Sequence, residues 1–409
     1  MKKRMILLSG FCLSLLYTQA QVVLTPDSAV RQALRANGNI RAKQYEVLAQ
    51  KQQIKQAAEI NPTQISWQHG QYNSYVKTDN NFTVSQTLPF PFTMIAKKQA
   101  YEAAYGESGA SLKLAEDELA YSVRNACAKL LYLQEKQTLY ARQDSLFKAL
   151  ESAAALRYKS GEGSYLNWQQ AKAKRADIAI QLAQLDQEIK NEKATLKAVL
   201  RMDDAFELIW EEAIIPAMGE FSSTQNGSIQ VMQAQVFRAE SEVRLEKSHF
   251  WPGLQFSYFN QSLIGGPTGS DFSAPIAVPS DRFQGFGIGL SIPLWAGPQM
   301  ARVKSAKLQQ EAAYHTLNQQ ETELKTEWTN LINTFMVAKG NLNSFEQESV
   351  PLAYELQKQA LMANQQGDIS AMEYLYQIND ALLLLDRQIQ LNYQTRILSN
   401  HILLLNGTH

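Results

Sequence analysis

The residue types that most often carry chemistry are present but ungrouped. The five histidines, His69, His249, His315, His401 and His409, share no metal-ligand spacing. The methionines form no thioether cluster of the kind that soft metal ions favour. No nucleophile, base and orienting acid stand in a catalytic pattern, no glycine-rich phosphate loop occurs, and no paired acids suggest a pocket. The expectation is a protein that is not an enzyme and carries no cofactor and no metal site. Lys plus Arg and Asp plus Glu both number 39, a formal net charge of zero, so nothing suggests a nucleic-acid partner. Function must then come from shape, and from a few groups placed at special points of the chain.

The elements that place those groups begin after a secretory leader. Lys2, Lys3 and Arg4 form a positive start, Met5 to Tyr17 an apolar stretch, and Thr18-Gln19-Ala20 a small-residue cleavage site, which predicts a signal peptide over 1–20. Phe11 precedes Cys12, where a lipid-anchor signal would want a small residue, so no lipid anchor is expected. Cys12 and Cys127 are too few for a disulfide framework. After Gln21 no run of ~18 apolar residues could form a membrane-spanning helix. An exported chain of this kind is either soluble or a β-barrel.

The remainder reads as one unit used twice. Phe82 to Phe90 (FTVSQTLPF) aligns with Phe286 to Leu294 (FGIGLSIPL), Gly161-Glu162-Gly163-Ser164 with Gly367-Asp368-Ile369-Ser370, and Asn61-Pro62 with Trp251-Pro252. The repeats are placed at 21–225 and 226–409. Each holds two strands (about 63–72 and 81–90; about 253–262 and 284–293) and a helical hairpin (about 93–200; about 298–405). In the first long helix Leu112, Leu119, Ala126, Leu133, Tyr140, Phe147 and Ala154 recur every seventh residue. In the second, Val303, Leu317, Leu324, Leu331, Ala338, Phe345 and Leu352 follow the same register, interrupted by Gln310, a period that supercoils packed helices. Leu182, Leu185, Ile189 and Leu196, and then Leu375, Ile378, Leu382, Leu385 and Ile389, mark the returning helices. Pro351 lies inside the second long helix and is expected to kink or interrupt it. The helices alone also fit a plain coiled-coil rod.

The strands separate a rod from a channel. Phe82, Val84 and Leu88, and Phe286, Ile288, Leu290 and Ile292, alternate with small or polar residues, and Ile65, Trp67, Leu254, Phe256 and Tyr258 supply their partners. Apolar-out and small-polar-in over roughly 9–11 residues suits a strand with lipid on one side and water on the other. The same pattern fits a half-buried sheet on a soluble core. Tyr72, Tyr75, Phe90, Phe92, Trp251 and Trp295 near strand ends fit an interfacial girdle. The loop from Gly265 to Pro279 is rich in turn residues and is expected at the surface. Four strands cannot close a barrel, so the chain is expected to oligomerise, with three copies supplying twelve.

With these features in view the chain resembles the TolC-type outer-membrane efflux family over essentially the whole mature sequence. The likeness rests on the paired strand–proline boundaries (Leu88-Pro89, Ile292-Pro293) and on the paired hairpin turns. The first, Arg157-Tyr158-Lys159-Ser160-Gly161 with Ser164-Tyr165-Leu166, is similar to the family's RYxxG…SxLD pattern. The resemblance implies a mainly α fold with a transmembrane β-barrel: a duplicated unit with four strands per chain and long coiled-coil helices, the homotrimer forming a 12-stranded barrel and an α-helical barrel. It implies an outer-membrane location reaching into the periplasm, outer-membrane lipid around the barrel, and a periplasmic adaptor (membrane fusion protein) and inner-membrane RND-type pump as partners. The segment from Trp251 to Leu263 also resembles outer-membrane partners of CusA/CzcA-type heavy-metal pumps. Type I protein secretion could use the same fold, and a periplasmic coiled-coil adaptor or scaffold is the rival class. By position the resemblance places a periplasmic gate at Glu373, with Asp368 and Tyr376 beside it, Tyr376 standing where the family has a second acid. Asn167 fills the matching place in the first repeat. Ser160, Gly161, Glu162, Gln366 and Gly367 are the expected adaptor-contacting tips.

Overall fold

The computed structural model describes residues 22–71, 79–210, 221–262 and 282–407. The expected signal peptide, Cys12, Tyr72, Tyr75, the loop from Gly265 to Pro279 and His409 lie outside the described residues.

A short strand β1 (Val22–Leu24) leads into helices α1 (Pro26–Ala36) and α2 (Gly38–Gln53). Thr25 caps α1: its hydroxyl accepts from the Ser28 backbone N–H, Ser28 returns the bond, and Pro26 fills the first helical position, where no backbone donor is needed. Strands β2 (Gln64–His69) and β3 (Asn80–Leu88) follow, and then α3 (Pro91–Lys159), a single helix of 69 residues. At ~1.5 Å per residue it is roughly 100 Å long. The chain turns back into α4 (Tyr165–Leu200), passes through β4 (Phe206–Leu208) and enters α5 (Gly227–Ser248). Strands β5 (Gly253–Ser262) and β6 (Arg282–Ser291) precede α6 (Gly297–Ser344). A π-helical turn (Phe345–Ser349) joins α6 to α7 (Val350–Gln366), and α8 (Ala371–Leu405) returns. Among the described residues no helix is long and apolar enough to cross a membrane.

Contacts divide the chain into two units, and the division cuts across the sequence repeats. One unit holds the described residues of 1–37, 119–216 and 334–401. Its main core packs Ala29, Val30 and Ala33 of α1 against Val123, Cys127 and Leu130 of α3 and Leu196 and Leu200 of α4. β1 and β4 pair in parallel, Val22 opposite Phe206 and Leu24 opposite Leu208, and close this core. This pair adds two strands to the four expected; three residues each are too short to show an alternation in the sequence. Arg124 would be stranded in this core but for Asp27, whose Oδ1 accepts its guanidinium at 2.8 Å. A second core sets Ala353, Ala360, Ile378, Ala381, Leu382 and Leu385 around Leu139. A third packs Phe147 against Ala171, Ile178 and Leu375. Full burial of the Val, Leu, Ile and Phe side chains among these stabilises by about 1.5–3 kcal/mol each.

Pro351 interrupts the second long helix, and the interruption corrects the expected stripe. The five-residue π turn ends just before it, and Pro351 sits in the first turn of α7, where its missing N–H costs little. A π turn accommodates one extra residue. The seventh-residue rhythm therefore slips by one: Leu352, expected inside, is 54% exposed, and Ala353 is buried in its place.

The other unit holds the described residues of 38–118, 217–333 and 402–409. Its sheet has the order β2-β3-β5-β6, all antiparallel, so strands from both repeats lie side by side and β3 pairs with β5 at the join. β5 covers 253–262 as expected, while β6 begins and ends two residues before the expected 284–293. β2 ends at His69, short of the expected residue 72, and Gly70 follows at φ +122°. Asn226 caps α5 through Ile229 N–H and donates to the carbonyl of Leu405, fastening α5 to the end of α8.

Candidate functional site

The sheet register gathers most apolar strand residues on one face, leaving Phe259 and Phe283 on the other. Ile65, Val84, Tyr258 and Phe286 lie in one cross-strand row, Gln86, Phe256 and Ile288 in another, and Leu88, Leu254 and Leu290 in a third. Trp67 stands opposite Phe82 with their rings 6.5 Å apart, and Tyr258 lies 5.3 Å from Phe286. This face is uncovered within the chain, with Phe286 87% and Ile288 79% exposed. A continuous exposed patch of this kind in one chain signals lipid or a partner.

The opposite face is small and polar. It carries Ser66, Thr83, Ser85, Thr87, Gln255 and Ser257, with Gly285, Gly287 and Gly289 along β6. Phe259 is its one large central side chain, and its ring fills the space beside Gly285. At the end of the sheet where β3 stops and β5 starts, Phe90 stacks on Trp251 at 5.0 Å and Phe92 lies 5.2 Å from the same ring. These three girdle candidates therefore form one cluster, while Trp295 stands exposed beyond the end of β6.

The two hairpin tips lie in the helical unit. At the first, Gly161 has φ +79°, and the Arg157 carbonyl accepts from the backbone N–H of both Glu162 and Gly163 at 2.9 Å. Ser160 returns its hydroxyl to the same carbonyl at 3.0 Å, and Ser164 caps α4 through Leu166 N–H. At the second, Gly367 has φ +83° and closes the end of α7 after Gln366, with Asp368 N–H bonded to the Ala363 carbonyl at 2.9 Å. Both glycines adopt the left-handed backbone that other residues resist.

Glu373 is at the third position of α8, and its carboxylate accepts from Ser370 N–H at 2.7 Å while its own N–H bonds the Ser370 hydroxyl at 3.2 Å. This reciprocal capping box holds the carboxyl below the usual range, first through the Ser370 backbone N–H and then through its side chain. Glu373 is thus a helix cap as well as a gate candidate, and one oxygen is committed. Asn167 cannot close such a box as a carboxylate would, and the first tip has only the Ser164 half of it. Tyr376 is 63% exposed, one turn along α8. Asp380 continues the same exposed stripe one turn further and was not singled out from the sequence; its seven-residue spacing from Glu373 was the available signal. Also unforeseen is Arg175 of α4, which bridges Glu151 at 2.8 Å and Asp144 at 3.7 Å on α3. Its spacing from them across a hairpin carries no sequence signature. Among the described residues no group of three or more His, Cys, Asp or Glu is placed to hold a metal ion.

No protein-family model and no curated protein matches the sequence. Solved structures do match. The outer-membrane protein VceC from Vibrio cholerae superposes with a TM-score of 0.77 at 17% identity, over 94% of this chain and 96% of that one. The outer-membrane channel OprN gives 0.76 at 16% identity, over 94% and 90%. CusC, described for its folding and transmembrane channel formation, gives 0.74 at 15%, over 94% and 92%. The fold is that of the TolC-type outer-membrane channels. Within that TolC-type fold, the chain supplies one four-stranded sheet and two long helical hairpins.

Proposed function

We propose that the chain is one protomer of a homotrimeric outer-membrane channel that reaches into the periplasm of a Gram-negative cell and serves as the passive exit duct of a tripartite efflux system. The sheet carries this reading. It has one uncovered apolar face, one largely small and polar face, and two edges, β2 and β6, with no partner strand among the described residues. In hydrocarbon each unpaired backbone group costs several kcal/mol. Three copies, each β6 paired to the next β2, give twelve strands and leave no edge. A coiled-coil scaffold has no use for such a sheet.

The two repeats, 21–225 and 226–409, each give one strand pair and one hairpin to this assembly. At the periplasmic mouth three copies of Glu373, with Tyr376 and Asp380 behind them and Asp368 in the turn, would face the axis. Like charges brought together there repel and favour cations over anions. Ser160, Gly161, Glu162, Gln366 and Gly367 would meet the adaptor, which couples the duct to an RND-type pump. A protein-secretion duct would share every one of these features, and the pump decides between them. The segment from Trp251 to Leu263 favours heavy-metal ions as cargo.

Reconstitution into planar bilayers tests the channel reading. Stepwise currents from the full chain, with cation preference reduced by Glu373→Gln, support it; bilayers that stay silent contradict it. Loss of the chain should sensitise cells to heavy-metal salts, and sensitivity to organic compounds alone would reject the metal cargo.

A further inference from the structure

The uncovered apolar face of the sheet changes character at one end. Beyond the row of Ile65, Val84, Tyr258 and Phe286 come Trp67 and Phe82, and there the apolar residues stop. Phe82 is paired with Asn260 and Asn260 with Gln284, and the last row sets His69 opposite Asn80 and Ser262 opposite Arg282. β3 runs nine residues from Asn80 to Leu88, about 27 Å along the strand. At a barrel tilt of ~40° that is roughly 20 Å of height. The Phe90–Trp251 stack beyond Leu88 extends it to about the ~25 Å of an outer-membrane apolar band. The polar row therefore stands at the lipid–water boundary farther from the helices.

Arg282 is held on this row as a charge without a counter-ion. Its Nε donates to Asn260 Oδ1, and its Nη2 donates to Asn80 Oδ1 at 3.1 Å and to the Asn260 carbonyl at 3.3 Å. All of these acceptors are neutral, and among the described residues no carboxylate forms an ion pair with Arg282. Asp79, the described acid at this end, is fully buried and accepts from the Ser262 hydroxyl at 2.6 Å, whereas Arg282 is exposed. Gln284 is exposed beside it, and its Oε1 accepts from the Tyr258 hydroxyl at 2.9 Å, which leaves the amide nitrogen to donate elsewhere.

We propose that Arg282, with Gln284 beside it, binds the phosphate of an outer-leaflet glycolipid, an acylated sugar whose chains lie over Trp67, Phe82 and Phe286. The proposal rests on the efflux-duct reading, which sets this end of the sheet at the outer surface. A guanidinium matches phosphate with two parallel hydrogen bonds. Neutral acceptors fix its direction and leave its charge uncompensated, so an anion at the boundary gains the full attraction. The Gln284 amide suits the hydroxyls and acyl amides of a sugar, which favours a glycolipid over a simple phospholipid. The exposed rings below suit acyl chains, as interfacial aromatics do.

The test uses the full chain purified in detergent with a divalent-ion chelator, so that no cation bridges lipid to carboxylate. Native mass spectrometry counts the lipids retained on the trimer from three supplies: a diphosphorylated, acylated glucosamine disaccharide, its dephosphorylated form, and phosphatidylglycerol. The phosphorylated glycolipid should be retained at least tenfold better than either of the others. Arg282→Gln, which removes the charge and keeps a hydrogen-bonding group, should cut that retention at least tenfold, and Arg282→Lys should keep part of it. Equal retention with and without phosphate, equal retention of phosphatidylglycerol, or no change in Arg282→Gln overturns the proposal. The preference of the unaltered chain decides even where a variant does not assemble. The same spectra separate the two readings: a trimer that retains no glycolipid sinks the lipid site alone, while a monomer sinks the duct.

Discussion

The ring of Phe259 occupies the place a side chain at Gly285 would take: a Cβ built there would lie 2.6 Å from its Cζ. At Gly287 the nearest atom is the Ser257 hydroxyl at 2.5 Å, which can swing aside. Gly285→Val should therefore lower the stability of the sheet by about 1–3 kcal/mol, as overpacking does, and Gly287→Ala by less. Phe259→Ala should restore Gly285→Val. The heat needed to unfold each variant in detergent checks this, and additive losses in the double variant would break the account.

The Ser370–Glu373 box predicts a pH-dependent tip. Glu373 ionises below its ordinary value in the folded chain. Its stabilising effect is thus complete above the unfolded-state value and is lost as pH falls through the lower folded one. Protection factors in the first turn of α8, corrected for the intrinsic pH dependence of exchange, should fall as pH drops below the ordinary carboxylate range. Glu373→Gln, which keeps a capping partner, should flatten that dependence, and Glu373→Ala should leave the turn poorly protected at every pH.

The slip at the π turn reverses two expectations. Ala353→Leu should destabilise the hairpin by about 1–3 kcal/mol, because the site is full. Leu352→Ala should change the chain's own fold by no more than about 0.5 kcal/mol. Protection of α7 amides reads both, and the opposite ranking would restore the unbroken heptad.

Cys127 is buried, and burial pushes its thiol up to about 12. Since the thiolate is the reactive form, iodoacetamide at pH 8 should leave it unmodified until the chain is denatured. Mass spectrometry before and after urea decides the matter.

Much of the fold was legible because long periods are legible. Leu133 and Phe147 on α3, and Leu185, Ile189 and Leu196 on α4, fall inside as the seven-residue spacing demands. Period-two alternation likewise put Phe286, Ile288 and Leu290 on one face. Short or aperiodic features were hidden. β1 and β4 are three residues each, the Arg175 clasp depends on three-dimensional spacing, and the π turn breaks the rhythm it is read against. At the site, Glu373 was visible by position, but its bond to Ser370 needed the turn geometry. The packing of Tyr158 on Tyr165 and Trp168 at the first tip was hidden for the same reason: Tyr158 lies across a reversal from both.

The central claim is that the open sheet closes only by sharing its edges. The most direct measurement is the native mass of the mature protein extracted from outer membranes in detergent. Three chains per particle is the predicted result, and a water-soluble monomer that needs no detergent would contradict it.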